Sequence, residues 1–130
     1  MFQNPKYKNL HLILSAIIVL SVSVVYGGNP SVFLLQVFGF EVHALELKNI
    51  LRAVMGLYIA FGSFWVVGVL KPHYWHAATL CNILFMGGLS FGRIISTLFD
   101  GVSPQFTVAL VLEILFFFWG IYNLKLYSKP

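Results

Sequence analysis

The chain has 130 residues, of which 59% are hydrophobic and only 9% are charged. Soluble domains carry about 25% charged residues, so this composition excludes a soluble globular protein and predicts an integral membrane protein. The net charge of +4 does not indicate nucleic-acid binding, because the basic residues are dispersed at the ends of apolar segments. The single cysteine, Cys81, excludes an intrachain disulfide and a CxxC redox site.

Four apolar runs follow one another, each close to the ~20 residues that a helix needs to cross a bilayer. Because these runs are continuous rather than alternating, they exclude a transmembrane barrel. The predicted fold class is all-α, an integral membrane four-helix bundle. We expect one four-span transmembrane domain over residues 1–130, with spans at residues 10–26, 45–70, 74–99 and 105–126.

The first run follows a short basic segment and so resembles a secretory signal. It has no small-x-small cleavage site, and we therefore expect an uncleaved first span that ends at a glycine pair. Asn29 before Pro30 is typical of a helix start, which predicts a short helix over residues 31–38. This helix is apolar but too short to cross, so we expect it in the membrane interface, either as an anchor or as a lid over the bundle.

Glycines and turn residues mark the third span and its end. Gly88 and Gly92 form a small-xxx-small pair, which is typical of close contact between helices. Asp100 and Gly101 predict a tight turn, and Pro104 predicts the start of the fourth span.

The lysines outside the spans predict the orientation. The loops at residues 27–44 and 100–104 contain neither lysine nor arginine. By the positive-inside rule we expect both termini in the cytoplasm and these two loops outside. The lysines that carry this prediction are Lys6, Lys8, Lys71, Lys125 and Lys129.

Each of the last three spans carries a stripe of polar or charged residues. A charge within a membrane span costs a few kcal/mol unless it is paired or hydrated, so these residues need a common explanation. With a rise of about 1.5 Å per residue, Arg52, Arg93 and Glu113 each lie roughly 8–12 Å below the outer surface. We therefore predict one ligand-binding site, formed by Glu46, Asn49, Arg52, Asn82, Arg93, Asp100 and Glu113.

Two interpretations of this site remain open. In the first, Arg52 or Arg93 pairs with Glu113, and the network only fixes the register of the helices. In the second, the site is an outward-facing pocket in which the arginines bind an anionic or carbonyl-bearing ligand. Glu113 is then the candidate catalytic residue, as an acid or base.

The histidines give a weaker signal. His11, His73 and His76 lie at the predicted cytoplasmic end, where a metal or haem site is one interpretation and interfacial anchoring is the other. His43 lies beside Glu41 on the outer loop. Three roles remain open for it: a pH sensor, a metal ligand or an ordinary polar loop residue. We predict no metal site, and the residues alone indicate no cofactor.

Several of these residues together resemble a known family. Glu46 to Arg52 with Gly56 and Tyr58, then Gly92-Arg93, Asp100-Gly101 and Glu113, are similar to a bacterial membrane family of unknown function (domain of unknown function 4345) in the DoxX-like superfamily. The resemblance covers nearly the whole chain and implies a four-helix bundle in the bacterial inner membrane. Relatives in the wider group are linked with quinone-coupled oxidation or membrane redox partners, so quinone or haem is implied by analogy alone.

We expect a small inner-membrane protein of unknown activity that binds a lipid- or quinone-like amphiphile in this pocket or serves as an accessory subunit. One alternative is a membrane enzyme, either an acid/base isomerase or a quinone-linked oxidoreductase subunit. Another is a structural subunit of a homo-oligomer or a larger membrane complex. The expected partners are membrane lipid and an amphiphilic ligand, and not nucleic acid.

Overall fold

A computed structural model describes residues 4–128 of the protein. These residues form the helices α1 (Pro5–Gly27), α2 (Pro30–Phe38), α3 (Leu45–Leu70), α4 (Trp75–Phe99) and α5 (Pro104–Tyr127), with a 3₁₀ turn at Pro72–Tyr74. No strand occurs within this part of the chain. The predicted fold class is confirmed, because α1, α3, α4 and α5 are each long and apolar enough to cross a membrane and the short α2 lies between the first two.

Local chemistry explains where the helices begin and end. The side chain of Asn4 accepts a hydrogen bond from the backbone N–H of Lys6 at 3.0 Å and so caps α1. Pro30 and Pro104 occupy the first turns of α2 and α5, where a missing N–H costs nothing. Gly39 ends α2 with φ = 76°, a left-handed conformation that glycine adopts without strain.

The four long helices run antiparallel to their neighbours, which gives the bundle two distinct ends. At the end called here the loop end, Gln105 donates to the carbonyl of Phe38 at 3.2 Å and so joins α5 to α2. At the opposite, terminal end, Asn123 donates to the carbonyl of Lys8 at 3.4 Å. The two lysine-free loops therefore share the loop end. Lys129, one of the lysines used to predict orientation, lies outside the described residues.

The bundle consists of two tightly packed helix pairs, α1 with α3 and α4 with α5. Glycine allows close approach at several points: a Cβ added to Gly87 of α4 would lie 2.8 Å from the ring of Phe117 on α5. The prediction that Gly88 and Gly92 mark a close helix contact is wrong, since a Cβ at either position would meet nothing within 4 Å. Both glycines lie on an open face of α4.

The short helix α2 folds back over the loop end of the bundle. Leu34 is fully buried, and the ring of Phe38 packs against Phe106 and Tyr26 with centroid distances of 5.0 and 6.2 Å. Val32 and Val37 on the same helix are exposed. One face of α2 therefore covers the bundle while the other presents apolar side chains outward.

Candidate functional site

A buried ion pair joins α4 to α5 near the loop end. The Nε–H of Arg93 donates to both carboxylate oxygens of Glu113, each at 2.9 Å. The side chains of Arg93 and Glu113 are only 20% and 11% exposed, so most of the ion pair is enclosed by the protein. Each charge is compensated by the other, as a low-dielectric interior requires.

The guanidinium of Arg93 keeps donors that Glu113 does not use. Its Nη2 donates to the Tyr26 hydroxyl at 3.4 Å, and its Cζ lies 5.1 Å from the centre of the Phe106 ring. Arginine has further N–H groups on both Nη atoms, and Nη1 has no acceptor among residues 4–128. These donors are available to an oxygen atom of a ligand.

A cavity of about 120 Å³ adjoins the ion pair in the interior of the bundle. Arg93, Glu113, Tyr26, Tyr58 and Phe38 are among its lining residues, and the remaining lining residues are apolar side chains of α1, α4 and α5. The Tyr58 hydroxyl forms no hydrogen bond within the described part of the chain. The cavity thus combines mostly apolar walls with a few polar groups, an arrangement typical of small-molecule sites.

Two further depressions reach this cavity. A cleft of about 310 Å³ between α4 and α5 opens at the loop end and shares Arg93 and Leu89 with the cavity. An apolar groove of about 580 Å³ between α3 and α4 shares Tyr58 and Leu89 with it and contains the open position at Gly88. The Arg93 region is therefore bordered by one cleft facing the loop end and one groove facing sideways.

The other predicted site residues do not join the ion pair. Arg52 donates to the carbonyls of Gly27 and Gly28 at 2.8 and 3.3 Å, at the end of α1. Glu46 and Asn49 are exposed on the first turns of α3.

Asn82 on α4 and Asp100, which directly follows α4, also lie apart from the ion pair. Asp100 accepts a hydrogen bond from Ser96 at 3.0 Å at the loop end. Asn82 lies roughly 16 Å along α4 from Arg93, by the helical rise of about 1.5 Å per residue. Of the predicted set, the structure brings together only Arg93 and Glu113.

The histidines are dispersed. His43 and Glu41 form an exposed pair at 2.6 Å on the loop, and His73 and His76 are exposed at the terminal end. His11 is fully buried, with Nε2 3.0 Å from the carbonyl oxygen of Phe116. Across residues 4–128, no three His, Cys, Asp or Glu side chains are placed to hold a metal ion.

A second polar region, which the sequence did not predict as a site of its own, lies closer to the terminal end and includes Asn82 and His11. Side chains there are fully buried, and each has at least one polar atom without a hydrogen-bond partner among residues 4–128. A signal was present in the spacing, since His11 and Ser15 lie one turn apart, as do Thr79 and Asn82. We call His11, Ser15, Trp65, Thr79 and Asn82 the buried polar cluster; Trp75, whose indole N–H also has no partner, lies about one turn from Thr79 at the start of α4.

The fold and the buried charges define the chain as a four-helix protein of the membrane-spanning class, with an internal ion pair beside a cavity. More particularly, it belongs to the family described as Domain of unknown function (DUF4345), which matches residues 7–124. That match includes every residue of the ion pair, the cavity and the buried polar cluster. No curated protein and no solved structure matches the chain.

Proposed function

We propose that the protein binds a small, uncharged amphiphile from the bilayer, with its polar head in the cavity beside Arg93 and Glu113. The observation that carries this proposal is the unused N–H donors of a buried guanidinium at the wall of a cavity. A purely structural ion pair needs no such cavity. An ionisable residue within a membrane span is also, by default, a candidate functional residue.

Charge narrows the ligand class. Glu113 already neutralises Arg93, so an anionic head would bring a second negative charge against the Glu113 carboxylate. A carbonyl or hydroxyl oxygen can instead accept from the Nη donors of Arg93 without adding charge. Tyr58, which also lines the cavity, offers a hydroxyl as a second hydrogen-bonding group. A neutral carbonyl- or hydroxyl-bearing head therefore fits better than a phosphate or carboxylate.

The size of the cavity limits the head to one small ring at most, and the adjoining groove suits an apolar chain. At about 120 Å³, the cavity is smaller than the ~150 Å³ apolar cavity that accommodates benzene. The groove between α3 and α4 extends from Tyr58 towards Cys81, away from the loop end. If the loop end faces outside, a chain in this groove points towards the bilayer centre, as the chain of an outer-leaflet amphiphile does.

The proposal includes a location and an orientation. We infer a multi-pass protein of the bacterial inner membrane, acting as one four-span domain with both termini in the cytoplasm. The lysine distribution supports the orientation. The resemblance to the DoxX-like group supports the bacterial assignment and the quinone-like character of the ligand, and both rest on that analogy.

Binding can be tested by native mass spectrometry with two probes that share one head, methyl and decyl 4-hydroxybenzoate. Each carries a ring, a hydroxyl and a carbonyl, and only the second has an apolar chain. We expect the wild-type protein to bind the decyl ester more tightly than the methyl ester. Failure of wild type to bind either ester would contradict the proposal.

Two variants separate head binding from chain binding. Arg93→Lys keeps the positive charge beside Glu113 but loses the planar donors, so we expect both esters to bind roughly tenfold more weakly. Gly88→Leu fills the groove where a side chain meets nothing, so only the decyl ester should lose affinity. Gly56→Leu is the matched control, because Gly56 is also open and lines none of the three depressions.

A membrane enzyme is the second candidate, because Glu113 is one of the residues that line the cavity. In that role Glu113 would transfer a proton to or from the head while Arg93 stabilised a developing negative charge. Glu113→Gln should then abolish conversion of a bound amphiphile in protein isolated with its native lipids. If the lipids isolated with the wild-type protein and with Glu113→Gln have the same composition, the protein binds the amphiphile without converting it.

A further inference from the structure

The buried polar cluster lies at one level of the bundle. Gly68 of α3 packs so closely against Ala78 of α4 that an added Cβ would overlap Ala78, and the same Cβ would lie 3.4 Å from Leu12 of α1. This contact fixes the relative heights of three helices. His11, Ser15, Trp65, Thr79 and Asn82 each lie within about one helical turn of it on their own helices.

The unpartnered groups include both donors and acceptors. They are Nδ1 of His11, the hydroxyls of Ser15 and Thr79, both amide atoms of Asn82, and the indole N–H of Trp65, which lies near only the weakly accepting thiol of Cys81. All five residues are 0% exposed. Because a carbonyl oxygen can only accept, Nε2 of His11 donates to Phe116, which leaves Nδ1 as a buried acceptor without a partner.

The two hydroxyls differ from others on the same helices. Ser21, Ser90 and Thr97 each donate to the carbonyl one turn earlier, at 2.7, 2.7 and 2.8 Å. This is the usual way in which a helical hydroxyl is satisfied within a membrane. Ser15 and Thr79 have no such bond and are therefore not satisfied by their own helices.

We infer that the buried polar cluster is a binding site for internal water, which bridges α1, α3 and α4 in the terminal half of the bundle. Water both donates and accepts, and buried waters typically satisfy polar groups of this kind. No carboxylate belongs to the cluster to balance a metal cation. The mixed donors and acceptors on three helices match a water molecule better than any ion.

This water site is separate from the proposed amphiphile site, and the inference does not rest on that function. It nevertheless ends close to the cavity. Phe116, whose carbonyl accepts from His11, lines the cavity, and so does Met86, one turn from Asn82 on α4. The water site thus lies next to residues that line the inner wall of the cavity.

A crystal structure of the full chain in a lipid mesophase, at a resolution that shows ordered water, tests the inference. We expect density about 2.7–3.2 Å from both Nδ1 of His11 and the amide of Asn82. Direct hydrogen bonds among the cluster side chains, with no density between them, would overturn the inference. A non-water molecule bridging the same atoms would overturn it equally.

Variants at two buried asparagines provide the second measurement. Asn82→Leu should remove this water while leaving the Arg93–Glu113 pair and the binding of decyl 4-hydroxybenzoate unchanged. Asn123→Leu is the control, because Asn123 is also buried but already donates to Lys8. If Asn82→Leu does not fold, the isosteric Thr79→Val variant is used instead, and we expect the water to lose its contact with residue 79. The site is contradicted if folded Asn82→Leu keeps the same water, or if the water in Thr79→Val stays in contact with residue 79.

Discussion

Arg93 and Glu113 depend on each other more than on the rest of the bundle. A buried charge left alone is expensive, whereas a compensated pair can often be replaced by apolar residues at little cost. Their near-symmetric contact, with both oxygens 2.9 Å from one Nε, makes each residue the main partner of the other. The bundle should therefore lose much more stability when one residue of the pair is replaced than when both are replaced by apolar residues.

Replacing Glu113 by Leu should lower the free energy of unfolding by about 3–5 kcal/mol, because Arg93 then remains buried without a counter-charge. The double variant Arg93→Met/Glu113→Leu should regain most of this loss. Both values can be measured by reversible unfolding of the purified protein in mixed micelles. Glu46→Gln is the control, since Glu46 is exposed and should change stability by less than about 0.5 kcal/mol. A double variant less stable than Glu113→Leu would contradict this account.

The contrast between Arg93 and Arg52 shows how far depth alone predicts a site. Both arginines were expected at the same level as Glu113, and the structure does place both near the loop end. Arg52 nevertheless donates to the carbonyls of Gly27 and Gly28, because the last carbonyls of α1 lack partners within their own helix and attract a cation. Depth follows from residue spacing, but the choice between a carboxylate and a helix end depends on which helices are neighbours.

At the level of elements, Arg52 fastens the end of α1 to α3. Arg52→Met should therefore speed hydrogen exchange in the last turn of α1 and leave its middle unchanged. Hydrogen exchange followed by mass spectrometry, in detergent or nanodiscs, gives the measurement. Lys48→Met provides the control, because Lys48 is a charged residue on the same helix that bonds to no other described side chain. Equal exchange in both variants would show that Arg52 does not hold this helix end.

Close helix packing should be sensitive to Gly68 and insensitive to Gly92. An alanine at Gly68 would meet the Cβ of Ala78, which has no rotamer that moves it aside, so we expect a loss of about 1–3 kcal/mol. Gly92→Ala meets nothing and should be neutral or slightly stabilising through helix propensity. Thermal unfolding of the two variants compares them directly. Similar melting temperatures would mean that α1, α3 and α4 are not packed as closely as described.

The glycines also show why element packing was harder to predict than the elements themselves. Apolar runs and prolines indicate helices locally, since length and caps decide where a membrane helix can lie. Which glycine faces a neighbour depends on the rotation of each helix, and the small-xxx-small spacing at Gly88 and Gly92 carries no such information. The same limit applies to the buried polar cluster, whose unsatisfied atoms follow from rotamers and helix contacts rather than from spacing.

At the scale of the whole molecule, the α1–α3 pair meets the α4–α5 pair along two seams, one between α3 and α4 and a less extensive one between α1 and α5. Contact between α3 and α4 is less extensive than within either pair, and the apolar groove opens along that seam. Lateral access from the bilayer to the cavity can therefore follow either seam, because the exposed side chains of Ile18 on α1 and Leu112 on α5 also line the cavity. Composition predicted the membrane class, but it could not predict these seams, because apolar side chains cover most of every helix.

The direction of the bundle decides which side of the membrane the cleft at Arg93 faces, and thiol labelling in intact cells tests it. In a Cys81→Ala background, Glu41→Cys places a thiol on the exposed loop, and His73→Cys places one at the opposite end of the bundle while keeping Lys71. A membrane-impermeant maleimide should label position 41 in intact cells and position 73 only after the cells are opened, because lysine-bearing loops stay in the cytoplasm. The reverse pattern would turn the cleft towards the cytoplasm and place an amphiphile head at Arg93 in the inner leaflet, while labelling at both positions in intact cells would rule out a single fixed orientation.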